Sequence, residues 1–120
     1  MTKVLLVEDE TITAMLYKTH LKNLKFDVCE PVASGEEAVQ KVGEESPDIV
    51  LMDIGLYGEM DGIEAAQIIK TRHCVPVIFV TGYADKETRE RADRAVQHSG
   101  FYVKPMDPEE IKPAINAALQ

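Results

Sequence analysis

Five side chains in this sequence carry groups that matter chemically only if the fold brings them together. They are the adjacent carboxylates of Glu8 and Asp9, the carboxylate of Asp53, the hydroxyl of Thr81 and the ammonium of Lys104. Each stands at the end of a short apolar run: Lys3-Val4-Leu5-Leu6-Val7, Ile49-Val50-Leu51-Met52, Val77-Ile78-Phe79-Val80 and Phe101-Tyr102-Val103. Taken singly they are bland. A lone Asp is most often a turn former or helix cap, a lone Thr a turn residue, and a Lys-Pro pair such as Lys104-Pro105 a surface loop. Gathered at one rim, they would form an acidic pocket faced by a hydroxyl and an ammonium, able to hold a hard cation and to handle a phosphoryl group.

The elements that must position them can be read from the apolar pattern. Near-continuous Ile, Val, Leu and Met over 48–53 predicts a strand buried on both faces, the mark of a parallel sheet. The run 3–7 predicts a first strand, followed by a helix in which Ile12, Met15, Leu16, Leu21 and Leu24 face inward. Residues 26–32 alternate and contain Pro31, which suits an edge strand. Ser34-Gly35-Glu36-Glu37 is a helix-capping signal, with Ala38, Val39 and Val42 as the buried stripe and Ser46-Pro47 as the stop. A further helix opens at Asp61-Gly62, with Ile63, Ala66, Ile68 and Ile69 inward. Pro76 begins the fourth strand, 76–81, at a position where a missing donor is tolerated. Residues 86–97 carry alternating charges with only Ala92, Ala95 and Val96 to bury, predicting an exposed, weakly anchored helix. A short strand, 101–104, precedes a last helix with Pro108 in its first turn and Ile111, Ala114, Ile115, Ala118 and Leu119 as its stripe.

Five βα units in succession predict an α/β fold: a doubly wound five-stranded parallel sheet with helices on both faces. The flavodoxin-like strand order 2-1-3-4-5 is the common one, a known preference of such sheets and not a consequence of these residues. That order makes the first and third strands neighbours at a switch point, where ligands bind beyond the strands' carboxyl ends. Neighbouring strands lie about 4.8 Å apart, so Glu8, Asp9 and Asp53 would crowd together. Two carboxylates about 5 Å apart repel by roughly 3 kcal/mol at an effective dielectric of about 20. The cluster must then hold a proton or a cation. Oxygen ligands with no His or Cys nearby favour Mg²⁺.

Composition narrows the function classes. The chain has 120 residues with a formal net charge of −8, enough for one domain, and its surface repels nucleic acid and anionic membranes. No apolar run is long enough to span a bilayer. Cys29 and Cys74 form no CxxC pair and are expected to be reduced, buried thiols in a cytoplasmic protein. His20, His73 and His98 show no metal-ligand spacing and are expected at the surface or at helix ends.

With these residues in this order, the chain resembles the receiver domain of two-component response regulators, of the chemotaxis-regulator type, over essentially its whole length. The resemblance rests on Glu8-Asp9, Asp53, the Met60-Asp61-Gly62 helix opening, Thr81 and Lys104-Pro105. It implies a signalling phosphoacceptor rather than an enzyme acting on other substrates. Asp53 would take a phosphoryl group from the phosphohistidine of a sensor histidine kinase or phosphotransfer protein. Mg²⁺, or Mn²⁺ in its place, would be bound by Asp9, Asp53 and the Gly55 backbone carbonyl, with Glu8 acting through water. Lys104 would neutralise phosphoryl charge ahead of a cis peptide bond to Pro105, and Thr81 would turn its hydroxyl onto the phosphoryl group. Phe101 takes the place of the family's switch aromatic and, lacking a hydroxyl, would act by packing, with Tyr102 facing the opposite way.

The resemblance further implies a protein-binding output face over 86–120, mixed in charge through Arg89, Arg91 and Arg94, and a phosphorylation-dependent dimer among the expected assemblies. The expected domain is a single receiver, residues 1–120, without an effector domain or direct nucleic-acid contact. Gly55 has no side chain to guide water and Tyr83 is bulky, so slow self-dephosphorylation is expected. A flavodoxin-type cofactor protein would need a hydroxyl- and glycine-rich loop where Glu8-Asp9-Glu10 stands. A haloacid-dehalogenase-type phosphatase would need a second acid at Gly55. The remaining rival is a pseudo-receiver, a binding module of the same fold that is never phosphorylated.

Overall fold

The computed structural model describes residues 1–82 and 85–120. Ten elements alternate along the chain: β1 (Lys3–Val7), α1 (Thr11–Asn23), β2 (Asp27–Val28), α2 (Gly35–Glu45), β3 (Ile49–Met52), α3 (Gly62–Arg72), β4 (Val77–Thr81), α4 (Lys86–Ala95), β5 (Phe101–Val103) and α5 (Pro108–Ala118). The strands form one five-stranded sheet in the order β2-β1-β3-β4-β5, with every pairing parallel. Register decides what the sheet delivers at its carboxyl edge. Val7 pairs with Met52, so Glu8 and Asp53 leave adjacent strands at the same level. Thr81 pairs with Val103, and Lys104 follows one residue later.

Alternation along each strand divides the apolar side chains between two layers. Leu5, Val7, Val50, Met52, Val77 and Phe79 pack with Ala38 and Val42 of α2, with Ile63, Ala66 and Ile69 of α3, and with Ala92 of α4. Val4, Leu6, Ile49, Leu51, Ile78 and Val80 pack on the opposite face with Ala14, Tyr17 and Leu21 of α1 and with Ile111, Ala114 and Ile115 of α5. Burying each large apolar side chain contributes roughly 1.5–3 kcal/mol, so this double layer fixes the central strands firmly.

Helix ends follow the sequence signals. The Ser34 hydroxyl accepts the Glu37 N–H at 3.1 Å, and Ser46 closes α2 in the left-handed region at φ 47°. Asp61 and Glu64 form a reciprocal capping box at the start of α3. Asp85 caps α4 by accepting the Thr88 N–H at 2.9 Å. Only Ala92 within α4 is buried, as its charge pattern implies.

Several expectations are corrected. The inward face of α1 is Ala14, Tyr17 and Leu21, whereas Ile12, Met15 and Leu16 are 79%, 64% and 52% exposed. Both sets have helical spacing. The set that wins aligns with the sheet but hides its stripe behind a small residue and a tyrosine. Leu119 caps α5 and is exposed. Cys29 is buried as expected, but Cys74 is exposed in the turn after α3. The edge strand shrinks to Asp27–Val28, with Val32 making only an isolated bridge to Val7, because Pro31 offers no donor. His98 stands just past the end of α4, within the expectation of a surface or helix-end residue, but its side chain is only 10% exposed and lies edge-on to Phe79.

The α1 correction has a measurable consequence. Ile12→Ser is expected to change stability by no more than about 0.5 kcal/mol, and Leu21→Ala to cost about 2–5 kcal/mol. Urea midpoints measure both, and equal losses would show the assigned face to be wrong.

Candidate functional site

Asp53 leaves β3 with its backbone N–H donating to the Val7 carbonyl at 3.0 Å, so the chain is still held by β1 at the acidic residue itself. Its side chain is buried and both oxygens are engaged. Oδ1 accepts the Ile54 N–H at 2.7 Å, and Oδ2 accepts Lys104 Nζ at 2.8 Å. From behind, the Gly62 N–H donates to the Ile54 carbonyl at 2.8 Å. A Cβ built on Gly62 would lie 1.9 Å from the Asp53 carbonyl oxygen. That contact admits no side chain, and it gives the Met60-Asp61-Gly62 helix opening a steric reason.

Glu8 is buried as well. Its backbone N–H donates to the Val32 carbonyl at 2.9 Å, its Oε2 accepts the Glu10 N–H at 3.0 Å, and its Oε1 accepts Lys104 Nζ. The Lys104 ammonium therefore bridges Glu8 and Asp53. Its backbone N–H donates to the Thr81 carbonyl at 2.9 Å, which pins β5 to the end of β4, where Thr81 is fully buried. The Lys104–Pro105 peptide bond is cis.

Electrostatics follow from this burial. Desolvation pushes the Glu8 carboxyl above the usual range, and the hydrogen bonds from Lys104 and from the Glu10 N–H pull it back without cancelling the effect. For Lys104, burial works to lower the pKa, but the hydrogen bonds to Asp53 and Glu8 outweigh it and hold the ammonium above the ordinary lysine value.

The acidic cluster has the donor set of a hard-cation site. One oxygen each from Glu8, Asp9 and Asp53 lies within 4.8 Å of the others. That span is near the roughly 4.2 Å across a Mg²⁺–oxygen octahedron of about 2.1 Å radius. With no imidazole or thiolate in the cluster, a softer transition metal has no special claim on it. Gly55 is half-buried in a turn closed by the Leu56 N–H on the Ile54 carbonyl at 3.1 Å. Tyr83 lies outside the described residues.

Phe101 packs at 6.2 Å from Phe79 and 6.4 Å from His98, with the Arg89 guanidinium 4.8 Å from its ring centroid. The partner from α4 and the imidazole were not foreseen. Tyr102 packs in the opposite layer. The sequence reading also missed Tyr17, whose hydroxyl accepts the Met106 N–H at 3.0 Å. A tyrosine in register with Ala14 and Leu21 was the available signal. Arg91, expected on the output face, was not foreseen to pair with the Asp61 cap and so to join α4 to the start of α3.

Comparison with known proteins gives one consistent picture. A family model described as the response regulator receiver domain matches residues 4–116. The transcriptional regulatory protein PdtaR of Mycobacterium tuberculosis (strain CDC 1551 / Oshkosh) is 30% identical over 117 residues, which are 98% of this chain and 56% of that protein. The regulatory protein LuxO of Vibrio cholerae is 29% identical over 118 residues, 96% of this chain but 25% of that protein. The chain thus spans about half or less of the length of these relatives. Among solved structures, the signal receiver domain of a modulated diguanylate cyclase from Desulfovibrio desulfuricans G20 superposes with a TM-score of 0.92 at 35% identity, covering 99% of this chain and 94% of that one. The receiver domain of sensor histidine kinase PA1611 from Pseudomonas aeruginosa PAO1, with a magnesium ion coordinated in its active site cleft, gives a TM-score of 0.88 at 27% identity, covering 98% and 97%.

Lys104→Met leaves two buried carboxylates without their cation and is expected to cost about 2 kcal/mol at pH 7. Glu8, already raised by burial, rises further once the ammonium is gone. A raised carboxyl is destabilising above its folded pKa and neutral in effect below its unfolded value. The deficit should therefore narrow as pH falls toward about 4–5. Urea midpoints at the two pH values test this, and a deficit of constant size would contradict it.

Proposed function

The chain belongs to the response regulator receiver domain family, and from that membership we propose that Asp53 accepts a phosphoryl group from the phosphohistidine of a sensor histidine kinase or phosphotransfer protein. Receiver domains are the signalling phosphoacceptors of two-component systems, not classical enzymes, and they interact with such kinases or phosphotransfer proteins. The observation that carries the proposal for this chain is the Lys104 ammonium set 2.8 Å from Asp53 Oδ2, next to the cluster of Glu8, Asp9 and Asp53.

An Asp53 oxygen attacks phosphorus, the new O–P bond forms as the P–N bond breaks, and the electron pair departs with the imidazole nitrogen, which is then protonated from solvent. The Ile54 N–H on Oδ1 and the β1 contact hold the carboxylate still, so little orientation is lost in reaching the attacking geometry. Lys104 turns from carboxylate to phosphoryl oxygen and offsets the charge that moves onto Asp53. Thr81 donates its hydroxyl to the same group. Asp9, Asp53 and the Gly55 carbonyl, with Glu8 behind them, would hold Mg²⁺, or Mn²⁺ in its place, which when bound neutralises and orients phosphoryl oxygens. The magnesium ion in the cleft of the Pseudomonas receiver supports this choice.

Phe101 then reports phosphorylation through its packing, and the face over 86–120 passes it to a downstream protein, with a phosphorylation-dependent dimer as one form of that output. We read residues 1–120 as a single receiver domain acting in the cytoplasm. No helix of the described residues is long and apolar enough to cross a membrane.

Incubation with labelled acetyl phosphate and Mg²⁺ should label the protein, and Asp53→Asn or removal of Mg²⁺ should abolish the label. Beryllofluoride with Mg²⁺ should shift the NMR signals of Thr81 and Phe101. No label together with unmoved signals would instead favour the pseudo-receiver, a phosphorylation-independent binding module.

A further inference from the structure

The residue that the acceptor site leaves unexplained is Tyr17. It lies on the sheet-facing stripe of α1, buried between Ala14 and Leu21, where leucine or isoleucine would fill the layer without a polar atom. A buried tyrosine needs a partner for its hydroxyl, and here the oxygen accepts the Met106 N–H at 3.0 Å. Met106 is itself buried and stands two residues after Lys104. The segment carrying the ammonium is thereby held at two points, by the Thr81 carbonyl at the Lys104 N–H and by Tyr17 at the Met106 N–H.

A second observation shows why the tether matters. A cavity of about 10 Å³ lies beneath the site, lined among others by Glu8, Tyr17, Asp53, Lys104 and Met106. That is room for about one water, so packing does not fill the space on this side of Lys104. A backbone N–H buried beside such a gap needs a partner, and Tyr17 supplies it for Met106.

We propose that Tyr17 is a positioning residue for phosphoryl transfer: its hydroxyl fixes the chain just after Lys104 and so sets where the ammonium meets Asp53 and the incoming phosphoryl group. The proposal rests on the reading of Asp53 as acceptor. Tyr17 touches no reacting atom, and its influence runs through Lys104.

Tyr17→Phe keeps the ring and removes only the oxygen. Labelling of Asp53 by acetyl phosphate is expected to slow about three- to tenfold, the loss of one buried hydrogen bond. Mg²⁺ affinity, which depends on carboxylates that Tyr17 does not contact, should stay within about twofold. In a Lys104→Ala background the same substitution should make no further difference, because the group it positions is gone. An unchanged rate, an equal drop in the Lys104→Ala background, or a matching loss of Mg²⁺ affinity would each overturn the proposal. In the wild type the Met106 amide should exchange slowly with solvent. A freely exchanging Met106 amide would overturn the tether even if Tyr17→Phe proved too unstable to assay. A wild type that takes no label overturns the acceptor reading and this one together, whereas a labelled wild type with an indifferent Tyr17→Phe overturns this one alone.

Discussion

One ammonium holds the site together. Lys104 joins Glu8 from β1 to Asp53 from β3, and its own backbone is fastened to Thr81 at the end of β4. Four strands that share no short-range sequence therefore meet at a single residue. Burial would otherwise make paired carboxylates at neighbouring strand ends strongly repulsive. The lysine makes their burial tolerable, and the burial in turn keeps the carboxylates fixed for chemistry. A cation at the same oxygens would meet the same requirement from the other side, which is why an acidic pocket and an ammonium make sense as one device.

The frame around that interaction is conventional in its physics. Central strands covered on both faces are long on Val, Ile and Leu, and their register is fixed by two independent apolar layers. Helix α3 is set against Asp53 by a glycine contact that no other residue can make. Helix α4 is the exception. It buries one alanine and is otherwise tied by polar contacts, Arg91 to Asp61 and Arg89 over Phe101. An element held mainly by exposed polar contacts sits at the low-stability end of a fold, which suits the surface read here as output.

The succession of elements was legible in the sequence because each rests on a periodic or positional signal, whereas the strand order, and with it the gathering of Glu8, Asp9 and Asp53, came from the common preference of such sheets. Apolar runs of strand length, caps such as Ser34 and Asp61, and acids at strand ends all survive translation into three dimensions. The inward face of α1 survived only in part: Leu21 and Leu24 meet the core as expected, whereas Ile12, Met15 and Leu16 lost to Ala14 and Tyr17, a choice that only tertiary contact makes. Tyr17 and Met106 are 89 residues apart, and no local pattern announces a bond of that range. The ring contacts of His98 with Phe79 and Phe101 were not legible, because an isolated histidine carries no periodic signal beyond its place near a helix end.

The pairing of Val7 with Met52 has a consequence for how the molecule is made. No part of the acidic pocket exists in a local hairpin or helix. It appears only when β1 and β3, separated by α1, β2 and α2, have paired in the native register. A slip of one residue would turn Glu8 or Asp53 to the other side of the sheet. The pocket therefore exists only in the natively paired sheet, and an ion bound there adds its binding free energy to the folded state alone.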